Sequence, residues 1–411
     1  MKIAVIGAGI AGITTAYRLS QEGHQVCVFE RRAGVCEETS FANLGLSSNA
    51  NLLTLQTLSS NAGRLGRFWE EKKSLQGSGN WHKPLLRWLW QRAKHSPKVE
   101  PSLISLQRYS AQLHADWSSL LKLETEHTVG QIILISDEQA MPEWLTKVEA
   151  LKAAGISANV LSADDVRKRE PALHATLPLS GGIWLPGDQV TNSRQFAIQL
   201  RNEALKNGVV FQFQQEITTL EPGAKVRLGT ADGQSHSFDH AVICTQQLPA
   251  FSPVKTNPTQ SFALLDSYTA TVPIKEALNA PNHVIHDAAS RITISRLGNR
   301  LRIQGGMHHS APDRDPHPAT VQQLYNTLDN HFPGAANYPA GTQTWRGVCC
   351  FSSDSMPVVG LSSATGISLN LAHGMHGWSL ACACADLLAH QIVRKDFPLD
   401  ARLLAPQRLG L

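Results

Sequence analysis

Three glycines and one acid near the start of this 411-residue chain have the spacing that holds a dinucleotide: Gly7-x-Gly9-x-x-Gly12, then Glu30. Gly7 suits a tight turn, Gly9 lets backbone approach a pyrophosphate, and Gly12 lets a helix close on a strand. The unpaired N–H groups at the helix start then face the phosphates. Glu30 stands where an acid accepts from an adenosine ribose hydroxyl, which argues against a 2′-phosphate, although Arg31 and Arg32 keep that option open. The elements that position these residues are legible as well. A strand at Ile3 to Ile6 precedes the glycines, a helix carrying Ala16, Tyr17 and Leu19 follows them, Gly23 breaks it, and a strand from Gln25 ends on Glu30. The run Ile3 to Ile13 could imitate a signal-peptide core, but it has one lysine before it and three glycines within it.

Composition narrows the class. The length suits two domains, and 42% hydrophobic with 17% charged residues describes a soluble globular protein. No run approaches the ~20 apolar residues that span a bilayer. A net charge of +4 is small for this size and implies no nucleic acid. The seven cysteines show no CxxC and no Cys/His ligand spacing, so neither a disulfide framework nor a metal site is expected, and a reducing, cytoplasmic setting follows.

Past the first unit, an Asn- and Leu-rich loop (Asn43 to Asn61) leads to a Trp/Lys/Arg-rich helical region reaching about residue 125. Thr128 to Ile135 reads as a strand, and Glu143 to Ala154 and Ala163 to Arg169 as helices. Gly181 to Asp188 looks like a strand entering a loop. Asn192 to Asn207 is an amphipathic helix, and strands recur at Val209 to Phe213, Lys225 to Leu228 and His240 to Thr245. From Phe262 to Gln304 the pattern becomes alternating β segments, at Phe262 to Val272, His283 to His286, Arg291 to Arg296 and Arg300 to Gln304. A sheet-rich second domain inserted into a nucleotide-binding one is the expected organisation.

Four further motifs run in order: Glu38-Thr-Ser-Phe-Ala-Asn-Leu-Gly45; Leu185-Pro-Gly-Asp188; Asp354-Ser-Met-Pro-Val-Val-Gly360; and Asn370-Leu-Ala-His373-Gly374-Met-His376-Gly377-Trp378 through Cys382. Together with the opening unit they resemble, nearly end to end, the FAD-dependent D-amino-acid dehydrogenases of the glycine oxidase and D-amino-acid oxidase superfamily. The fold class that follows is α/β plus α+β, a Rossmann-type FAD-binding domain carrying an inserted, mostly antiparallel β-sheet substrate domain. The expected division is 1–80, 145–246 and 336–411 for FAD, and 81–144 and 247–335 for substrate.

The resemblance implies FAD held by Gly7, Gly9, Gly12, Glu30 and Arg31, by Thr39, Ser40, Asn43 and Gly45, and by His373, Gly374 and Gly377. Thr39, Ser40 and Asn43 would supply short donors beside the pyrophosphate, and Gly45 would let backbone pass the flavin. The loop at His373 would set N–H groups and a helix N-terminus against the flavin C2 carbonyl. Thr, Ser and Asn also suit a capped turn, and His373 also suits a buried loop. Cys382 reads as core packing rather than a covalent flavin link.

The candidate substrate-facing residues are Tyr268, His373, Arg346 and Cys349. Tyr268 would close the pocket over substrate, or serve as a cross-strand aromatic. Relatives carry Gly-Leu-Arg-Pro where this chain has Gly347-Val-Cys349-Cys350, so the arginine expected to clamp a substrate carboxylate is replaced by Cys349. Arg346 lies three residues away, on the opposite face of a regular strand unless a bulge at Gly347 re-aims it. Asp266 replaces a lysine of relatives, and His308 and His309 stand where they have a small residue and an acid. These changes predict a neutral to acidic pocket, suited to a secondary or cyclic amine or a modified amino acid.

Trp81 to Lys94 packs Trp88, Trp90, Leu85, Leu86 and Leu89 among Lys83, Arg87, Arg92 and Lys94. That pattern suits a helix lying on the inner face of the cytoplasmic membrane, or one packed on its own domain. The expected chemistry is hydride transfer from the carbon bearing an unprotonated amine to flavin N5, leaving an imine that water hydrolyses. A small amine or amino acid is the expected substrate, and a quinone, a carrier or oxygen the electron acceptor. The open alternatives are an enzyme for non-standard amines and a flavoprotein subunit acting with or on a partner chain.

Overall fold

The computed structural model describes residues 1–48, 83–94, 101–254, 262–309 and 317–411, with 65, 66, 68, 69, 72 and 75 between the first two segments. Trp81, His82 and the later part of the loop running to Asn61 lie outside the described residues. The opening unit folds as its spacing predicts: strand β1 (Lys2–Ile6), helix α1 (Ile10–Gln21) and strand β2 (Gln25–Glu30). A short strand β3 (Leu46–Ser47), helices α2 (Lys83–Arg92) and α3 (Pro101–Leu120), and strand β4 (His127–Ile135) follow. Next come α4 (Met141–Ala153), β5 (Asn159–Ser162), α5 (Ala163–Arg169), β6 (Gly181–Thr191) and α6 (Ser193–Lys206).

Asn192 caps α6 by accepting from the Gln195 N–H, and Ser162 caps α5 by accepting from Asp165, as short polar side chains do at helix starts. Short strands β7 (Val210–Phe213), β8 (Ile217–Glu221), β9 (Val226–Thr230), β10 (Ser235–Phe238) and β11 (His240–Ile243) lead to the long strand β12 (Phe262–Pro273). Then β13 (Val284–Asp287), β14 (Ile292–Leu297), β15 (Arg300–His309), α7 (Pro318–His331), β16 (Gln343–Ser352), β17 (Val358–Leu361), β18 (Ile367–Leu371) and α8 (Ala381–Ile392) complete the order.

Two large sheets organise these elements. One runs β17-β18-β11-β1-β2-β7, parallel from β18 to β7 with β17 antiparallel at its edge. Helices α1, α6 and α8 bury its apolar residues: Ile3, Val5, Ile13, Leu200 and Leu388 are fully inaccessible. The other runs β16-β12-β15-β14-β13-β4-β6-β3, with β5 beside β6, and is antiparallel except where β13 meets β4. Its outer face carries Ile132, Ile285, Ile294 and Ile303 under Leu324 and Leu328 of α7.

Four strands of the segments expected to bind FAD, β3, β5, β6 and β16, pair instead in this second sheet. Periodicity identifies a strand but not its sheet, because the choice rests on partners far away in sequence. Strand β6 also continues through Pro186 and Gly187 to Thr191 rather than ending in a loop. The ladder to β4 shifts register at Gly130, whose left-handed backbone leaves room for the Trp184 ring.

Candidate active site

Between the two sheets lies a cavity of about 670 Å³. The glycine loop that opens α1 forms one end. Gly7 has a φ of +105°, and a Cβ there would meet the Cys244 carbonyl at 2.9 Å. A Cβ on Gly12 would sit 1.9 Å from the Gly7 carbonyl, so only glycine lets α1 close on β1. At Gly9 an added Cβ would meet only Ser40 Oγ, at 3.5 Å, and Gly9 itself has no side chain to cap the helix that it opens. Gly7, Gly9, Ile10 and Ala11, at the start of α1, line the cavity, where a helix N-terminus suits an anion. Glu30 lines the same end, its carboxylate accepting from the N–H groups of Ala8 at 2.7 Å and Arg32 at 2.8 Å. Arg31 also lines it and pairs with Glu38 at 2.9 Å.

Thr39, Ser40, Asn43 and Gly45 all line the cavity, yet the side chains of the first three also brace the loop that carries them. Thr39 donates its hydroxyl to the Val348 carbonyl at 2.6 Å, Ser40 Oγ accepts from the Ile10 N–H at 3.3 Å, and Asn43 Oδ1 accepts from Ser193 at 2.6 Å. Arg302, buried on β15, donates to the Asn43 carbonyl at 2.7 Å. Burial pushes that guanidinium down to about 10. Gly45 is required by packing as much as by any ligand, because a Cβ would fall 1.9 Å from the Thr191 carbonyl.

The loop His373 to Trp378 forms another wall. Helix α8 begins at Ala381, so the loop's backbone and side chains, and not the helix end, face the cavity. His373 Nε2 lies 2.8 Å from Asn370 Oδ1, and Asn370, fully buried, donates to Thr15 Oγ1 at 3.0 Å. That chain ties the loop to α1. Burial pushes the imidazoles of His373 and His376 down to about 4, so both are neutral at physiological pH. Cys382 is buried in the helical core of the first sheet and does not line the cavity, as expected of packing.

The inner face of the second sheet closes the cavity with Leu265 and Ser267 of β12, His286 of β13, Thr293 of β14, Gln304 and Met307 of β15, and Cys349 of β16. Tyr268 and Arg346 are not on this wall. Strands β12 and β16 pair without a shift, Leu265 opposite Cys349, Ser267 opposite Gly347 and Tyr268 opposite Arg346. With no bulge at Gly347, the period of two turns Tyr268 and Arg346 to the other face. There Tyr268 packs in the outer core against the His308 ring, and Arg346 pairs with Asp266 at 2.9 Å.

The bulge that does occur lies between Ser267 and Tyr268 against β15, and it leaves Ser267, not Tyr268, on the cavity side. His308 bonds Thr320 on that outer side. Sequence reasoning missed Ser267, His286, Thr293 and Gln304. The parity of β12 about Tyr268 was the available signal for the first of these. Cys349 and Cys350 both line the cavity, and burial pushes the Cys349 thiol up to about 12, so it is a neutral wall. No His/Cys/Asp/Glu group among the described residues could hold a metal.

Helix α2 roofs this wall: Leu85, Trp88 and Leu89 are buried against Leu265 and Phe351, while Trp90 is 41% exposed. Thus Trp88 belongs to the core and Trp90 to the surface.

Comparison with known proteins matches the described geometry. The model of the FAD dependent oxidoreductase family (DAO) matches residues 2–391. A D-amino acid dehydrogenase of Rhizobium rhizogenes is 27% identical over the full length of both chains. The glycine oxidase structure from Geobacillus kaustophilus superposes with a TM-score of 0.76 at 17% identity, covering 99% of this chain and 98% of its own. L-proline dehydrogenase from P. horikoshii gives 0.75 at 16%, covering 99% and 97%. The tight glycine turn, the start of α1 lining the cavity and Glu30 fit the pyrophosphate and ribose of FAD, with room for its flavin between the His373 loop and the second sheet. The chain belongs to the FAD dependent oxidoreductase family.

Proposed function

We propose that the chain oxidises the C–N bond of an amine or amino acid, giving an imine that water hydrolyses. The observation that carries this reading is the single cavity joining the dinucleotide end to a wall of small, neutral side chains: Ser267, Thr293, Gln304 and Cys349. FAD, when bound, supplies the two-electron oxidant that takes a hydride from carbon. The chain's own part is to hold the amine unprotonated, orient its carbon and exclude water, which needs positioning rather than a strong acid or base. The names of the relatives, D-amino acid dehydrogenase, glycine oxidase and L-proline dehydrogenase, support C–N oxidation.

Within that reading, Gly7, Gly9, Gly12, Glu30, Arg31, Thr39, Ser40, Asn43, Gly45, Gly374 and Gly377 hold FAD, while His373 and Cys349 face the substrate. The FAD-binding unit is built on the first sheet, and the substrate unit on the second. Electrons leave to a quinone, a carrier or oxygen. Peripheral lipid contact is supported by the exposed side chains of Leu65, Trp69 and Trp90 near exposed Arg87 and Lys94. No helix among the described residues is long and apolar enough to cross a membrane.

A screen of amines for flavin bleaching without oxygen tests the proposal. Bleaching by at least one amine or amino acid is expected, and a flavin that only alcohols or hydroxy acids reduce overturns it. Action with or on a partner chain is the second reading, favoured by the loss of the carboxylate clamp at Cys349. Bleaching by a free amine in the isolated, gel-filtered chain excludes it.

A further inference from the structure

Among the described residues three arginines line the cavity, and two of them are committed elsewhere. Arg31 pairs with Glu38 at the dinucleotide end, and Arg92 donates to Ser355 and lies over the Trp88 ring. Arg291 is different. It ends the turn between β13 and β14, it is exposed, and its guanidinium makes no hydrogen bond or ion pair with any described residue. Its backbone is held at a φ of +57°, a conformation that side chains other than glycine seldom adopt.

The turn is built to keep it there. Asp287 accepts from the Ala289 N–H at 3.1 Å and from the Ser290 hydroxyl at 2.6 Å, and its carbonyl accepts the Arg291 N–H at 2.8 Å. These bonds hold the left-handed backbone of Arg291 in place. Beside Arg291, Ser290 and His286 line the same cavity, and His286 Nδ1 lies 2.9 Å from Thr293 Oγ1. A cation and an imidazole from one β-hairpin thus line the same cavity.

We infer that Arg291 is the anion-binding group of the cavity and takes a carboxylate carried by the substrate. The inference rests on the amine-oxidation reading for what the rest of that substrate is. Its consequence is a separation. Cys349, where relatives place the clamp, lies on β16, and Arg291 precedes β14, three strands away in the order β16-β12-β15-β14. At about 4.8 Å per strand the two positions are about 14 Å apart across the sheet. A carboxylate bound at Arg291 therefore occupies a different part of the cavity from the Cys349 position, where relatives place the clamp on an α-carboxylate. The substrate class is an amine bearing a distal carboxylate, rather than a free α-amino acid.

Hexanoate and its neutral isostere hexanamide, titrated by calorimetry into the FAD-loaded full-length protein, test this without turnover. Hexanoate is expected to bind at least tenfold more tightly than hexanamide. Arg291→Gln is expected to remove that preference, with FAD content and hexanamide affinity unchanged and Arg291→Lys retaining part of it. Equal hexanoate affinity in the wild type and Arg291→Gln, or no hexanoate binding by the wild type, overturns the inference. If no amine bleaches the flavin while hexanoate binding still depends on Arg291, the amine reading fails and the anion site stands. If an amine bleaches the flavin while hexanoate binding is independent of Arg291, the anion site fails and the amine reading stands.

Discussion

The dinucleotide end and the substrate wall of one cavity are specified in different ways. At the dinucleotide end the constraints are backbone contacts at glycines, as where a Cβ on Gly12 would lie 1.9 Å from the Gly7 carbonyl and one on Gly7 would lie 2.9 Å from the Cys244 carbonyl. On the substrate wall the residues are contributed by β12, β13, β14, β15 and β16, five strands brought together from separate parts of the sequence. The glycines at that end are thus fixed by neighbouring backbone and intolerant of change. Substrate selection is dispersed, so single positions such as Cys349 can diverge without disturbing the fold.

The strongest way to break this contrast is at the glycines. Gly12→Val should yield protein without FAD, because α1 cannot close on β1 around the added atoms. The ratio of absorbance at 450 and 280 nm reads this directly, and a normally yellow Gly12→Val variant contradicts the packing argument. Helix α2 offers a second test within the wall. Trp88→Ser should cost about 3–5 kcal/mol, as large-to-small core changes do, whereas Trp90→Ser should stay within about 0.5 kcal/mol. Denaturant midpoints of the two variants decide it, and equal losses would remove the distinction between core and surface. If Trp90 meets lipid, Trp90→Ser releases the protein from anionic vesicles and leaves stability unchanged.

A smaller effect should appear with pH. His240 and His376 are buried, and burial pushes both imidazoles down to about 4 from an ordinary 6.5. Between those values the unfolded chain binds protons that the folded chain does not. Their contribution is therefore complete above about pH 6.5, is lost as pH falls toward 4, and changes no further below that. Each adds about 1.4 kcal/mol per pH unit to the slope. Urea unfolding at pH 7.5, 6 and 5 should show the decline, and His240→Asn should flatten it. The smallest expected change is in Thr39→Val, which deletes the bond to the Val348 carbonyl. A loss of about 1 kcal/mol with weakened FAD retention is expected.

The opening βαβ unit and the alternating strands beyond Phe262 were readable because their signals are local: glycine spacing, caps and a period of two. The sheets to which β6 and β16 belong were not, since their partners lie far along the chain. Tyr268 shows the limit most clearly. Its type suggests a lid over substrate, but the residue before it, Ser267, faces the cavity, and only the ladder to β16 fixes that parity. Arg346 fails for the same reason, while His286 carries no local signal beyond its place in a short strand.

Rapid-mixing anaerobic reduction of the bound flavin tests the central claim most directly, with D-alanine compared against 6-(methylamino)hexanoate. Without a cation at Cys349, D-alanine forgoes a charge-assisted pair of roughly 1.5–3 kcal/mol, so its capture should be weaker by about one to two powers of ten than that of the amine with the remote carboxylate. Rapid bleaching by low concentrations of D-alanine, with none by 6-(methylamino)hexanoate, would contradict the account and place the carboxylate clamp back beside the reacting carbon.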